Sequence, residues 1–237
     1  MVKYLLIITY MYFLNTIIEN ILSIVFPIKC ISCGDTGAYL CLKCLSNVPR
    51  AERESAEWIF SLYDYRDPIM KKSLWFLKYK GKKMLANVFA EIIYEKILEE
   101  LSELSVMENF NNAILIPIPL SQKRYRERGF NQAELICREL IKINSLRDNL
   151  NIKLEINILI KPRDTEHQAR IKDRNTRLKN LSGSFAIKNS EQNGSLVKNR
   201  NIILIDDITT TGATLSEARK VLRRSGARKI IAFTVAH

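Results

Sequence analysis

The chain has 237 residues, 47% of them hydrophobic, enough to bury one substantial core beside a small accessory module but not two large domains. Its 37 lysines and arginines against 25 acids give a formal charge of +12, which favours phosphate-bearing partners such as nucleotides or nucleic acid; a merely solvated basic surface accounts for part of the excess. Four of the five cysteines fall between positions 30 and 44 as two close pairs, a pattern that argues against a disulfide framework and for a reducing cytoplasm.

The first 26 residues are strongly apolar, yet the continuous stretch from Tyr4 to Leu14 is too short to cross a bilayer, and Asn15, Glu19 and Asn20 interrupt the apolar pattern beyond it. No stable membrane span is expected, and no small-residue cleavage site of the signal-peptide type is present. Ile17, Ile18, Ile21, Leu22 and Val25 recur at helical spacing. They predict an amphipathic helix within residues 1–28 that packs on its own protein or on a partner, with membrane-surface attachment as the lesser alternative. Met11 is an alternative start to Met1.

Residues 29–47 carry Cys30, Cys33, Cys41 and Cys44, two CxxC pairs separated by seven residues. Four thiolates at that spacing can enclose one tetrahedral zinc, and a closed set of four protein ligands implies a structural ion. Gly34 after the first pair allows a tight turn, whereas Leu45 in the matching place does not help. A redox dithiol would use one pair and leave the second unexplained; plain buried cysteines are the other alternative. Cys137 stands alone in an apolar helical pattern and reads as core. The polar stretch from Asn47 to Glu57 marks a boundary, which gives a main domain over 58–237.

Within that domain, residues 68–106 read as one or two helices, with Leu85, Val88, Phe89, Ile92 and Ile93 at helical spacing and Gly81 as the break. Short apolar runs at 113–119, 156–160, 201–206 and 229–236 predict buried strands. Helical patterns at 131–143 and 214–224 lie between them. This alternation predicts an α/β domain, a parallel sheet with crossover helices on its faces.

The densest chemistry is in ILIDDITTTGATLSEARKVL, a buried strand ending in Asp206 and Asp207, then a turn of Ile208, Thr209, Thr210, Thr211, Gly212, Ala213 and Thr214 that enters a helix. A helix amino terminus at the carboxyl end of a parallel strand favours a phosphate, and glycine lets the backbone approach it. The hydroxyls of Thr210, Thr211 and Thr214 can donate to the same group. Two carboxylates would repel it and must face something else, for which vicinal sugar hydroxyls are the natural partner. Upstream, Lys123, Arg124, Arg126 and Arg128 read as one basic loop able to bind pyrophosphate. A second basic segment, 161–185, contains Arg163 and reads either as a mobile flap or as a solvated surface loop. His167 lies in that segment and His237 is terminal; neither supports a nucleophilic triad.

Hydrophobic residues, two acids and then TTGAT resemble the phosphoribosyl pyrophosphate signature of type I phosphoribosyltransferases. The resemblance implies that Asp206 and Asp207 hold the ribose hydroxyls as catalytic-site acids while residues 208–214 wrap the 5-phosphate, with magnesium and basic side chains around the pyrophosphate. More widely, LKYKG at 77–81, PIPL, RYRERGFNQAELI, Arg163, Thr165, Gln168, Arg174, Asn180 and Phe185 resemble the ComF family of competence proteins. That resemblance implies a part in natural transformation, the handling of imported single-stranded DNA alongside other DNA-uptake proteins. Three functional readings stay open: a competence factor that binds phosphoribosyl pyrophosphate and single-stranded DNA, aided by Tyr79, Tyr125 and Phe130 among the cations; a working phosphoribosyltransferase for a purine-like or other nitrogen acceptor; or a sensor that binds without reacting.

Overall fold

Isoleucine-rich runs bounded by polar residues build a five-stranded parallel sheet in the computed structural model of the chain, which describes residues 27–52, 56–162 and 183–237. Most of the predicted amino-terminal helix lies outside the described residues, as do Arg163, Thr165, His167, Gln168, Arg174 and Asn180 of the predicted flap. Two compact units divide between Asn47 and Val48. Among the described residues no helix is long and apolar enough to cross a membrane.

The strands of the larger unit are β1 (Ile59–Tyr63), β2 (Ala113–Pro117), β3 (Ile152–Leu154), β4 (Leu159–Ile160), β5 (Ala186–Ile187), β6 (Asn201–Ile208) and β7 (Lys229–Ala236). The main sheet has the order β1-β7-β6-β2-β3, every pair parallel, with Leu204 opposite Ala232 on one side and Ile116 on the other. The central strands are buried on both faces, so they read as near-continuous apolar runs. Ile202, Leu204, Ile230 and Ala232 point to one face and pack with Leu215, Ala218 and Leu222 of a helix over Ala213–Arg224. Ile203, Ile205, Ile231 and Phe233 alternate to the other face, where helices over Leu85–Glu108 and Gln132–Arg147 pack on each other and on the sheet. Each fully buried Ile or Leu contributes about 2 kcal/mol of hydrophobic stabilisation.

In chain order the helices are α1 (Leu42–Ser46), α2 (Pro68–Tyr79), α3 (Leu85–Glu108), α4 (Gln122–Arg128), α5 (Gln132–Arg147), α6 (Ser190–Val197) and α7 (Ala213–Arg224). Asp67 starts α2 by accepting from the Ile69 and Met70 N–H groups at 2.8 and 3.0 Å, with Pro68 in the first turn. The break expected at Gly81 separates α2 from α3. Arg147 of α5 then ties the two long helices, pairing with Glu91 and Glu95 of α3 at 2.7 and 2.5 Å.

Two expectations about strands are corrected. INILI (156–160) does not enter the main sheet: only Leu159 and Ile160 are extended, paired antiparallel to Ile187 and Ala186 in a separate two-stranded sheet. Ile158, Leu159 and Phe185 instead complete the core cluster beside α7, so burial rather than sheet membership explains the apolar run. The neighbour of β2 is β3, three residues that leave Lys153 exposed at the sheet edge. Ile59–Tyr63, where no strand was expected, forms the opposite edge beside β7.

This strand order positions the site. From β2 the chain crosses through α5 to β3 on one side; from β6 it crosses through α7 to β7 on the other. The connections therefore diverge between the carboxyl ends of β2 and β6 and leave a crevice there, the ligand position of open α/β sheets.

Candidate functional site

At that crevice lies a cavity of about 270 Å³, walled by Ile118–Ser121 beyond β2, by Asp206, Asp207, Thr210 and Thr214 at the end of β6, and by side chains of α2 and α4. Asp207 is 8% exposed and faces Lys78 of α2, whose Nζ is 2.8 Å from its Oδ2. Asp206 accepts the Asp207 N–H at 2.9 Å. Burial and then the neighbouring Asp207 charge push the Asp206 carboxyl up to about 7, against the opposing pull of Lys78, the Asp207 N–H and Lys161. Asp206 therefore holds its proton to a higher pH than a free carboxyl does.

Beyond the acids the backbone turns sharply. The buried Thr209 donates its N–H to Ala236 at 3.0 Å, tying the turn to β7. Gly212 stands at φ 70°, the left-handed region that a side chain disfavours, and occupies the cap position of α7 with no side-chain cap. The α7 amino terminus consequently meets the cavity rim at Thr214, where its dipole favours an anion.

The basic arm is corrected in form. Residues 122–128 are the helix α4 and not a loop: Gln, Lys, Arg and Glu are good helix formers, Ser121 caps the start and Gly129 at φ 75° ends it. Helical spacing sorts the four cations. Arg124 and Arg128, one turn apart, line the cavity, while Lys123 and Arg126 are exposed and are not among its lining residues. Arg128 donates to Gln132 Oε1 at 2.8 Å and to the Tyr79 hydroxyl at 3.3 Å.

Sequence reasoning missed Lys78 and Lys161 as site residues. Lys78 follows Met70, Ser73, Leu74 and Leu77 on the buried side of α2, and a lysine beside such a stripe is a readable signal of a buried counter-charge. Lys161 is 8% exposed, with Nζ 5.2 Å from the Phe185 ring centroid.

The smaller unit gathers the four cysteines. The sulfurs of Cys30, Cys33, Cys41 and Cys44 all lie within 4.8 Å of one another, Cys33 and Cys41 at 3.6 Å. Gly34, at φ 83°, donates to the Cys30 carbonyl at 2.9 Å and makes the tight turn of the first pair; Cys41 caps α1 and places Cys44 one turn on. Burial pushes the Cys30 thiol up, but the N–H groups of Cys41, Cys33 and Ser32 aimed at its sulfur prevail and lower it to about 6. Four clustered sulfurs with one readily ionised fit a single soft divalent cation such as zinc.

Residues 160–237 match the phosphoribosyl transferase domain family. With its parallel sheet, flanking helices and acid pair before a phosphate-type turn, the larger unit is a type I phosphoribosyltransferase-like domain. Competence protein ComFC of Bacillus subtilis is 33% identical over 176 residues, which cover 74% of this chain and 62% of that one. Competence protein F of Haemophilus influenzae is 34% identical over 116 residues, 49% and 46% of the two chains. The DNA utilization protein YhgH of Escherichia coli K12 is 25% identical over 206 residues, 85% and 80% of the two. The chain is thus a homologue of the ComF competence and YhgH DNA utilization proteins, with a phosphoribosyltransferase domain behind a four-cysteine cluster. A solved hypoxanthine-guanine phosphoribosyl transferase of L. donovani overlays 64% of this chain and 67% of its own at 13% identity and a TM-score of 0.36; the fold rests on the strand order and the family match.

Proposed function

We propose that the chain serves natural transformation, binding phosphoribosyl pyrophosphate at the crevice between β2 and β6 and single-stranded DNA on adjoining basic surface. One observation carries the reading: an acid pair, a glycine turn capping a helix, and two arginines converge on one cavity at the switch point of the sheet. A ligand with vicinal hydroxyls between a monophosphate and a pyrophosphate meets each of these. Residues Ile208 to Thr214 take the 5-phosphate, Asp206 and Asp207 the ribose hydroxyls, and Arg124 and Arg128 the pyrophosphate. Arg163 serves the same anion, and Lys123 and Arg126, turned outward, serve nucleic acid.

The carboxylate oxygens beside this cavity suit a hard cation, so Asp206 and Asp207 fit magnesium entering with the ligand; when bound, it neutralises developing pyrophosphate charge. Cys30, Cys33, Cys41 and Cys44 hold a structural zinc. Reduced thiols of this kind agree with a cytoplasmic location, where other DNA-uptake proteins are the expected partners.

Calorimetry with magnesium and phosphoribosyl pyrophosphate tests the site. Saturable binding is expected, weakened at least about tenfold in Asp207→Asn and in Gly212→Leu. Absence of any binding heat overturns the reading. A second reading, transfer to a nitrogen acceptor, is favoured by the apolar wall that Tyr65, Leu74 and Pro119 add to the same cavity, suited to a planar base. There the acceptor nitrogen bonds to the anomeric carbon as that carbon's bond to pyrophosphate breaks, pyrophosphate leaves, and the nitrogen's proton passes to solvent. Pyrophosphate release with a panel of bases supports it; tight binding without release assigns a sensor.

A further inference from the structure

We propose that the single strand lies across α2 and α4, its bases stacked on the exposed rings of Trp75, Tyr79 and Tyr125. This rests on the strand-binding reading above and gives it a surface. Residues 68–83 contain six lysines and no acid, five of them left once Lys78 is paired with Asp207, and residues 122–130 contain four cations against one acid, Glu127. Such an excess on two neighbouring helices and the turn that follows the first attracts a polyanion of any kind. The aromatic content of the same surface narrows the partner.

Large rings ordinarily go inside, yet Trp75 is 45% exposed and Tyr79 and Tyr125 are each 51% exposed. Trp75 and Tyr79 are one helical turn apart on α2, their ring centroids 6.2 Å apart. A cation lies over each ring, Lys80 Nζ at 5.2 Å from the Trp75 centroid and the Arg128 guanidinium at 5.2 Å from that of Tyr79. Alternating ring faces and cations match the repeat of a splayed strand, in which each nucleotide offers a π-face and a phosphate. A duplex hides its base faces in the stack and an acidic peptide has none, so neither uses the rings. Trp75, Tyr79 and Arg128 also line the sugar-phosphate cavity, which places the strand at its mouth.

The other aromatic and basic patch, Trp58 with Arg219, Lys220 and Arg223, lacks this property. The Trp58 indole is only partly exposed and packs against the core cluster, with the Arg219 guanidinium over it at 4.4 Å, so it offers less open ring than Trp75 or Tyr79.

The test uses the full chain and labelled oligothymidylate in fluorescence anisotropy at low salt. Trp75→Ala and Tyr79→Ala are each expected to weaken binding about tenfold, with unchanged thermal melting. A duplex of equal length should bind at least about tenfold more weakly than the strand. Tryptophan emission should be quenched on titration, and the quench should vanish in Trp75→Phe. Wild-type affinity in both alanine variants, with loss in Arg219→Ala/Arg223→Ala, moves the strand to the other patch and overturns this proposal while leaving strand binding intact. If the wild-type chain binds no strand at low salt, the strand-binding reading itself falls.

Discussion

Lys78 Nζ lies 2.8 Å from Asp207 Oδ2, with the two side chains only 15% and 11% exposed, so a helix early in the domain supplies the counter-charge for the end of its central strand. Removing one partner of a pair this buried leaves the other charge uncompensated. Lys78→Met should therefore cost about 3 kcal/mol near pH 7.5, read from urea unfolding. The penalty should shrink at pH 5, where Asp206 is protonated and less negative charge is left uncompensated; an equal loss at both values would place the stabilisation in packing instead.

The Asp206 carboxyl predicts a pH dependence of its own. Its folded value, pushed up to about 7, lies above the roughly 3.9 of an unfolded chain, so between those values the folded protein holds a proton that the unfolded one lacks. Stability from this group is fully present below about pH 4 and is lost as pH rises through about 7. Asp206→Asn should melt about 3 °C higher than wild type above pH 7.5, and the two curves should converge toward pH 5. A constant offset from pH 5 to 8.5 would show that Asp206 does not titrate in this range.

The two faces of α4 give a contrast between neighbours. Arg124 lines the cavity and Arg126 is turned away from it, so Arg124→Ala should weaken phosphoribosyl pyrophosphate about tenfold by calorimetry while Arg126→Ala stays within about twofold. Equal effects would mean that the helix does not orient its cations as described.

Metal analysis should find one zinc per chain, lost in Cys41→Ser. After chelation the four clustered thiols should become open to a thiol reagent, Cys30 first. Cys137 should not, because it is completely buried and burial pushes its thiol well above the usual range. Five fast-reacting thiols in the folded, chelated protein would contradict this placement.

Much of the site was legible because its chemistry is contiguous in sequence: acids, threonines and Gly212 occur within nine residues, and strand-length apolar runs mark β2, β6 and β7. The form of α4 was legible too, since Ser121 and Gly129 punctuate good helix formers, but the density of charge read as a loop. Lys78 was not readable as the partner of Asp207, because nothing local records a contact between distant segments. β1 was missed because IFSLY is short and mixes a serine among its apolar residues, and INILI misled because burial in a cluster and burial in a sheet leave the same apolar imprint.

The place of β7 between β1 and β6 also shapes how the chain comes off the ribosome. Ile59 and Tyr63 pair with Ala232 and Ala236, and on its other side β1 meets the short segment around Arg50, so within the main sheet the first strand waits for the final one to be made. At ordinary elongation rates that wait is on the order of ten seconds, during which an apolar edge is open to misassociation. Nascent chains stalled before residue 229 should therefore be strong clients of holding chaperones, and release should coincide with synthesis of Lys229–Ala236.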